Sequence, residues 1–477
     1  MKGDGPAAHH RVPVRSAALP VAALACALLP AAAWRAPNGA PPPELRRGER
    51  QFRVRGEPGF VFGRNPTETT VEAFEARLRE MAASGDRLAR LHLMHGLPPA
   101  GTPGEVDAAW AAKWERVFAE ADRLGIGVLP VFTVWAQWSD GSAGETWHVW
   151  HDNPYNAALG GPARAPSELL RETACRRVWL RWLAGLVRRW SPHRCIVAWE
   201  PISEVDLVTG ATPAAAGEFA RAAAAAIRAA DPRRRPVTVS LSGTRDWPEV
   251  FGDPAVDIVQ AHPYATDPPY SGQLCDLLLD VTRDRLRRYG KPVLLGECGL
   301  DWRPPAGTLT VSPRAETGIR LAIWASVVSG ALSGRMLWWE DGYDKYEGSR
   351  VAERYRDSSV RAARFVEGIA TADMATAAVV ASPEVKGAAL ASASSLVAWF
   401  RDARCNPPDW PVRTVEGARV TIAAPGKAAR WRVRFTDTVT GAALGETSCT
   451  RTPGGLVVSL PAFREAVALR AKALGGR

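Results

Sequence analysis

From about residue 55 the chain alternates two textures. Short runs dense in Val, Ile, Leu and Phe fall at 59–63, 88–93, 127–133, 195–199, 236–241, 257–261, 292–296 and 335–339. Runs this short and this apolar predict strands buried on both faces. Between them lie amphipathic stretches at 71–83, 107–124, 167–190, 213–230, 273–289, 315–329 and 352–369, with room only for a stub of helix at 246–251. Strands separated by helical crossovers predict a closed parallel (β/α)8 TIM barrel over residues 51–371. Beyond residue 372 the period shortens to two at 387–400, 418–423, 429–435 and 455–460, and turns such as Pro407-Pro408, Pro425-Gly426 and Pro453-Gly454-Gly455 separate the runs. That texture predicts a small antiparallel β-sandwich over 372–477.

The N-terminus changes the picture. His9, His10, Arg11 and Arg15 precede an apolar run over 17–33 that ends in three alanines, the pattern of a cleaved secretory signal peptide over 1–33. Pro20 and Pro30 within the run suit that reading better than a membrane span, so a secreted or periplasmic protein without stable membrane insertion is expected. A lipoprotein reading through Cys26 is weaker, because the residues after it stay apolar. Residues 34–50, rich in Pro, Gly and Arg, read as a linker. Outside the cytoplasm the six remaining cysteines are free to pair, and Cys405 with Cys449 is the expected pair because both fall in the second domain. Their spacings resemble no zinc site, and neither metal nor cofactor is expected. The formal charge of +10 is spread without blocks and does not suggest nucleic acid. Trp is the unusual count, 19 against 7 Tyr and 12 Phe, and flat indole faces suit a carbohydrate partner.

In such a barrel the loops after the strands carry the chemistry. The second predicted strand supplies Arg90, with His92 and His95 beyond it. The fourth runs out into Glu200-Pro201-Ile202-Ser203-Glu204, the sixth into His262-Pro263-Tyr264, the seventh into Glu297 and the eighth into Trp338-Trp339. Singly, such residues read as ion-pair, core polar or core aromatic positions. Together and in this order they place two glutamates, Glu204 and Glu297, across one barrel mouth, an arrangement suited to acetal cleavage. The loop over 134–166, carrying Trp135, Trp138, Trp147, His148, Trp150 and Tyr155, is longer than a barrel connection needs and is expected to wall a cleft.

The ordered set Ala89-Arg90-Leu91-His92, IVAWEPISEVDL at 196–207, VQAHPY at 259–264, KPVLLGECG at 291–299 and Met336 to Trp339 resembles clan A glycoside hydrolases, specifically the cellulase- and mannanase-like members of glycoside hydrolase family 5. NPYNAALGGP at 153–162, and VAWFRDAR, FTDTVTG and LPAFREAVA in the C-terminal part, are similar to segments of secreted members that carry a small β domain. The resemblance implies a retaining β-glycosidase with Glu204 as general acid/base and Glu297 as nucleophile. It places Arg90 and Tyr264 on Glu297, His262 near Glu204, and Trp338 or Trp339 under the sugar; His95 and Trp138 are further candidates for substrate-binding or supporting positions. It also implies Asn before the acid/base, where its amide binds the sugar 2-hydroxyl; this chain has Ser203. That departure raises a second reading, a non-catalytic carbohydrate-binding protein on a degenerate barrel.

Overall fold

The computed structural model describes residues 40–93, 102–141, 149–266, 268–302, 314–338, 349–369, 371 and 373–474. The expected signal segment, His95, Trp147, His148 and Trp339 lie outside them.

Eight short parallel strands form the first part: β1 (Val61–Arg64), β2 (Leu88–His92), β3 (Gly127–Val134), β4 (Glu200–Ser203), β5 (Thr238–Ser242), β6 (Ile258–His262), β7 (Val293–Leu295) and β8 (Ser333–Arg335). They are hydrogen-bonded in the orders β8-β1-β2-β3-β4 and β5-β6-β7. Single parallel bridges, Trp199 to Val237 and Cys298 to Leu337, join these two groups at both seams, so the strands close into a barrel.

Helices α1 (Val71–Ala83), α2 (Ala108–Leu124), α3 (Ala174–Trp190), α4 (Pro213–Ala230), α5 (Pro248–Phe251), α6 (Leu274–Tyr289), α7 (Ala315–Val327) and α8 (Ser349–Val366) return the chain between strands. The sequence starts several of them with an oxygen that satisfies orphan N–H groups: Thr70 for α1, Asp107 for α2, Thr173 for α3 and Thr212 for α4. Among the strands, the largest displacement from expectation is in β4. Its regular ladder begins at Glu200, not at residue 195, because Ile196 and Trp199 make only isolated bridges.

Alternate residues of each strand face opposite sides. Ala89, Leu91, Val128, Phe132, Val239 and Leu241 pack outward on the helices. Val61, Leu88, Leu129, Ile258, Leu294 and Leu332 fill the lower barrel interior with Leu45 and Phe52. The stretch expected as a linker is packed here: Pro42, Pro43 and Leu45 are buried, and Arg87 Nη2 donates to Pro41 O at 2.8 Å.

The C-terminal part is an antiparallel sheet system of nine strands folded on itself, with Phe400, Trp431, Val433, Leu456 and Leu469 in its core. The run expected at 387–400 is a hairpin of Val385–Ala391 and Ser395–Asp402. The second of these strands is buried on both faces. Leu396, Ala398 and Phe400 face the sandwich core, and Val397 and Trp399 face the hydrophobic cluster that α6 and α7 also enter. Arg320 to Glu465 at 2.8 Å and Arg401 to Asp276 at 2.7 Å tie the same surface. The expected Cys405–Cys449 bond is absent and all six described cysteines are free. Cys405 sits in the buried turn whose carbonyl accepts from Arg401, while Cys449 lies opposite Trp431 within the sheet.

Candidate active site

Two residues above the apolar plug, the same inward-facing positions turn polar. Leu88 is followed by Arg90 and Ile258 by Gln260 and His262; β5 contributes Ser240 and β4 Glu200. All five of these polar side chains are fully buried. Arg90 holds Glu200 in a fork, Nε to Oε2 and Nη2 to Oε1, both at 2.8 Å. Its Nη2 also donates to Ser203 Oγ at 2.8 Å, and its Nη1 to Asn65 Oδ1 at 3.2 Å and Glu297 Oε2 at 3.3 Å. Asn65, at the end of β1, is braced in turn by donating to Gly296 O and Met336 O. Burial alone would favour neutral Glu200, but Arg90 outweighs it and keeps that carboxyl below its ordinary value. Glu200 therefore serves as the buried counter-ion of Arg90.

Above this layer the two expected glutamates meet. Tyr264 donates its hydroxyl to Glu297 Oε1, and His262 Nδ1 stands 2.8 Å from Glu204 Oε1 and 3.7 Å from Glu297 Oε2. One donor atom from each of Glu204, His262 and Glu297 lies within 4.8 Å of the other two. That spacing could also hold a cation, but the Arg90 guanidinium against Glu297 opposes a second positive charge there. Glu204 reaches its place through a left-handed backbone, φ 54° and ψ 56°, a conformation that costs a non-glycine residue about 1–3 kcal/mol. Its N–H is received by Ser240 Oγ at 2.9 Å, whose own proton goes to Glu200 Oε1 at 2.8 Å.

These surroundings set the protonation states. Burial, reinforced by the Asp206 charge, pushes Glu204 up to about 8. Burial and the neighbouring Glu204 charge raise Glu297, against the lowering effects of His262, Arg90 and Tyr264. Burial takes His262 down to about 4, so its ring is neutral at pH 7. The carboxyl pair shares its protons, and Arg90 and Tyr264, both aimed at Glu297, favour its ionised form.

No family model matches the sequence, and no curated protein does. Among solved structures, a family 5 glycoside hydrolase from Bacteroides vulgatus superimposes with TM-score 0.62 at 11% identity, over 92% of this chain and 95% of the other. A second structure, described as a glycoside hydrolase, gives TM-score 0.61 at 12% identity over 92% and 98%. The fold is that of family 5 glycoside hydrolases. At such identity the likeness concerns the fold, barrel and C-terminal sandwich together.

On this family 5 fold, Arg90, Ser203, Glu204, His262, Tyr264 and Glu297 come together as expected. Trp338 is half-buried, its ring centroid 5.2 Å from that of His92 in an edge-on contact. Trp138 does not join them. It is 1% exposed, donates Nε1 to Thr133 Oγ1 at 3.1 Å and packs on Trp150 and Tyr155. It braces the loop after β3, and its face is closed to a sugar. Trp135, from the same loop, makes a side-chain hydrogen bond to Glu204 instead. Sequence reasoning passed over Asn65, Ser240, Gln260 and Asp206. A rule confined to strand ends finds Asn65, but Ser240 and Gln260 lie inside strands, where only polarity at an inward position marks them.

Proposed function

We propose that the protein is a secreted, retaining glycoside hydrolase that cleaves β-linked glycans with Glu204 as general acid/base and Glu297 as nucleophile. The observation that carries this reading is the approach of donor atoms of Glu204 and Glu297 within 4.8 Å across the barrel mouth. Retaining enzymes hold their carboxyls about 5–5.5 Å apart, whereas inverting enzymes need roughly 6.5–9.5 Å to admit a water. In the first step a Glu297 oxygen bonds to the anomeric carbon as the glycosidic C–O bond breaks, and the Glu204 proton passes to the departing oxygen. In the second, water attacks the same carbon, Glu204 takes its proton, and the ester to Glu297 opens.

The neighbours fit these roles. Tyr264 and Arg90 occupy one Glu297 oxygen each, which keeps the nucleophile oriented and its charge compensated. The raised Glu204 supplies an acid at neutral pH. Ser203 Oγ is engaged by Arg90, so a sugar 2-hydroxyl finds a hydroxyl there in place of a long amide.

The test is hydrolysis of aryl β-glycosides, β-mannan, xylan and mixed-linkage glucan, with the anomer of the first-formed product read by NMR. Retained configuration, and a fluorosugar adduct on the peptide holding Glu297, are expected. Inversion would refute the mechanism. Binding without turnover would favour the non-catalytic reading that Ser203 raises.

A further inference from the structure

The mechanism leaves Gln260 unused, although it is fully buried in the charged layer beneath His262. Its amide has one workable orientation. Nε2 stands 3.0 Å from Glu200 Oε2, and Oε1 faces the Thr238 hydroxyl at 3.2 Å. Turning the amide over would set Oε1 against an ionised carboxylate. Nε2 is therefore the donor, and it carries a second proton. That proton points at His262 Nε2, 3.2 Å away. A ring nitrogen facing an N–H donor must present its lone pair, so the neutral imidazole carries its proton on Nδ1, facing Glu204 Oε1 at 2.8 Å. Room for this amide comes from the residue before the nucleophile: a Cβ at Gly296 would meet Gln260 Nε2 at 2.3 Å.

We infer that Gln260 is a positioning residue that fixes the tautomer of His262, so that Glu204 Oε1 always receives a hydrogen bond and the acid proton is kept on Oε2. Arg90 and Gln260 both donate to Glu200, Gln260 donates also to His262, and His262 donates to Glu204, so the side chains form one connected network ending on Glu204. With the ring in the other tautomer, the Nδ1 lone pair would draw the Glu204 proton onto itself and away from a leaving oxygen. The groups facing Glu204 are otherwise fixed in kind: Trp135 from the loop after β3, Asp206 and Glu200 from the β4 side, Arg90 from β2 and Glu297 after β7. Among them, His262 is the group whose hydrogen-bonding sense a tautomer change reverses. The catalytic consequence rests on the glycosidase reading; the tautomer does not.

Two measurements separate these. In protein labelled with ¹⁵N at its eight histidines, with His262→Asn to assign the resonance, His262 is expected to report protonated Nδ1 and bare Nε2. In Gln260→Met, which keeps the volume and removes the donor, the resonance should move toward the other tautomer. Protonated Nε2 in the wild type, or an unchanged ring in the variant, would overturn the inference whatever the enzyme does. The second measurement is kinetic. Acid catalysis matters in proportion to the basicity of the leaving group, so Gln260→Met should lower kcat/KM roughly tenfold to a hundredfold for an unactivated glycoside and less than about threefold for a dinitrophenyl glycoside. Equal losses on both substrates would mean that Gln260 only supports the structure. Absence of turnover in the wild type would sink the glycosidase reading and leave the tautomer to the NMR result.

Discussion

The lower and upper halves of the barrel interior are built from the same strands, two residues apart, and they obey opposite rules. Below, Val61, Leu88, Leu129, Ile258 and Leu294 interlock with the N-terminal Leu45 and Phe52. Above, Arg90, Glu200, Ser240, Gln260 and His262 are buried just as completely, but each needs a named partner. A cavity in the lower layer costs contact area and little else. A missing partner in the upper layer strands a charge in low dielectric. The chemistry therefore sits where the strands can least tolerate substitution.

Several substitutions sharpen or break this contrast. Glu297→Ala should reduce turnover by roughly 10⁴-fold or more, with unfolding little changed; a variant that still forms a covalent sugar adduct would break the assignment. Arg90→Met should lose activity and also about 3–5 kcal/mol of stability, because Glu200 is left buried without its counter-ion. Denaturant unfolding reads this directly, and a neutral result would mean that water reaches Glu200. Leu129→Ala, in the lower layer, should cost about 2–4 kcal/mol while kcat per folded molecule stays near wild type. If kcat fell with it, the two layers would not be separable.

The carboxyl pair supplies the smaller effects. In the proposed mechanism Glu297 must be ionised and Glu204 protonated, so kcat/KM should follow a bell. Its alkaline limb should fall near 8, and its acid limb above the ordinary glutamate value, because burial raises both groups. A group whose pKa is raised on folding stabilises the protein at low pH and loses that contribution as pH rises through the folded value. Glu204→Gln should therefore unfold later than wild type at pH 9, by on the order of 1–2 kcal/mol, and the gain should vanish below the ordinary carboxylate range. An alkaline limb unmoved by Glu204→Gln would detach it from this residue.

Most of the barrel was legible because its strands are short apolar runs framed by capped helices: the expected limits of α1 and α4 coincide with those found. The sandwich was less so. Ala443–Thr452 is largely exposed and reads GETSCTRT from Gly445 to its end, so it carries no apolar alternation to detect. Apart from Val467, Ala466–Leu474 is made of Ala, Leu, Arg and Lys, residues that favour helices; pairing with Ser395–Asp402 and Arg430–Asp437 on either side overrides that preference. At the site, most residues at strand ends were found, Asn65 excepted, and those one step inside were not. Gln260 and Ser240 look like flaws in apolar strands until their partners on neighbouring strands are known. Trp138 misled for the opposite reason, since composition cannot tell an indole that packs a loop from one offered to a ligand.

The pinned main chain at Glu204 has one more consequence. With its amide anchored to Ser240 and its torsions in the left-handed well, this side chain has little freedom to travel toward an incoming molecule. Alignment has to come from the guest. Turnover on awkward or branched sugars should then be governed by how the rim loops steer them, and recruiting new substrates would call for changes at that rim while the anchored glutamate is left alone.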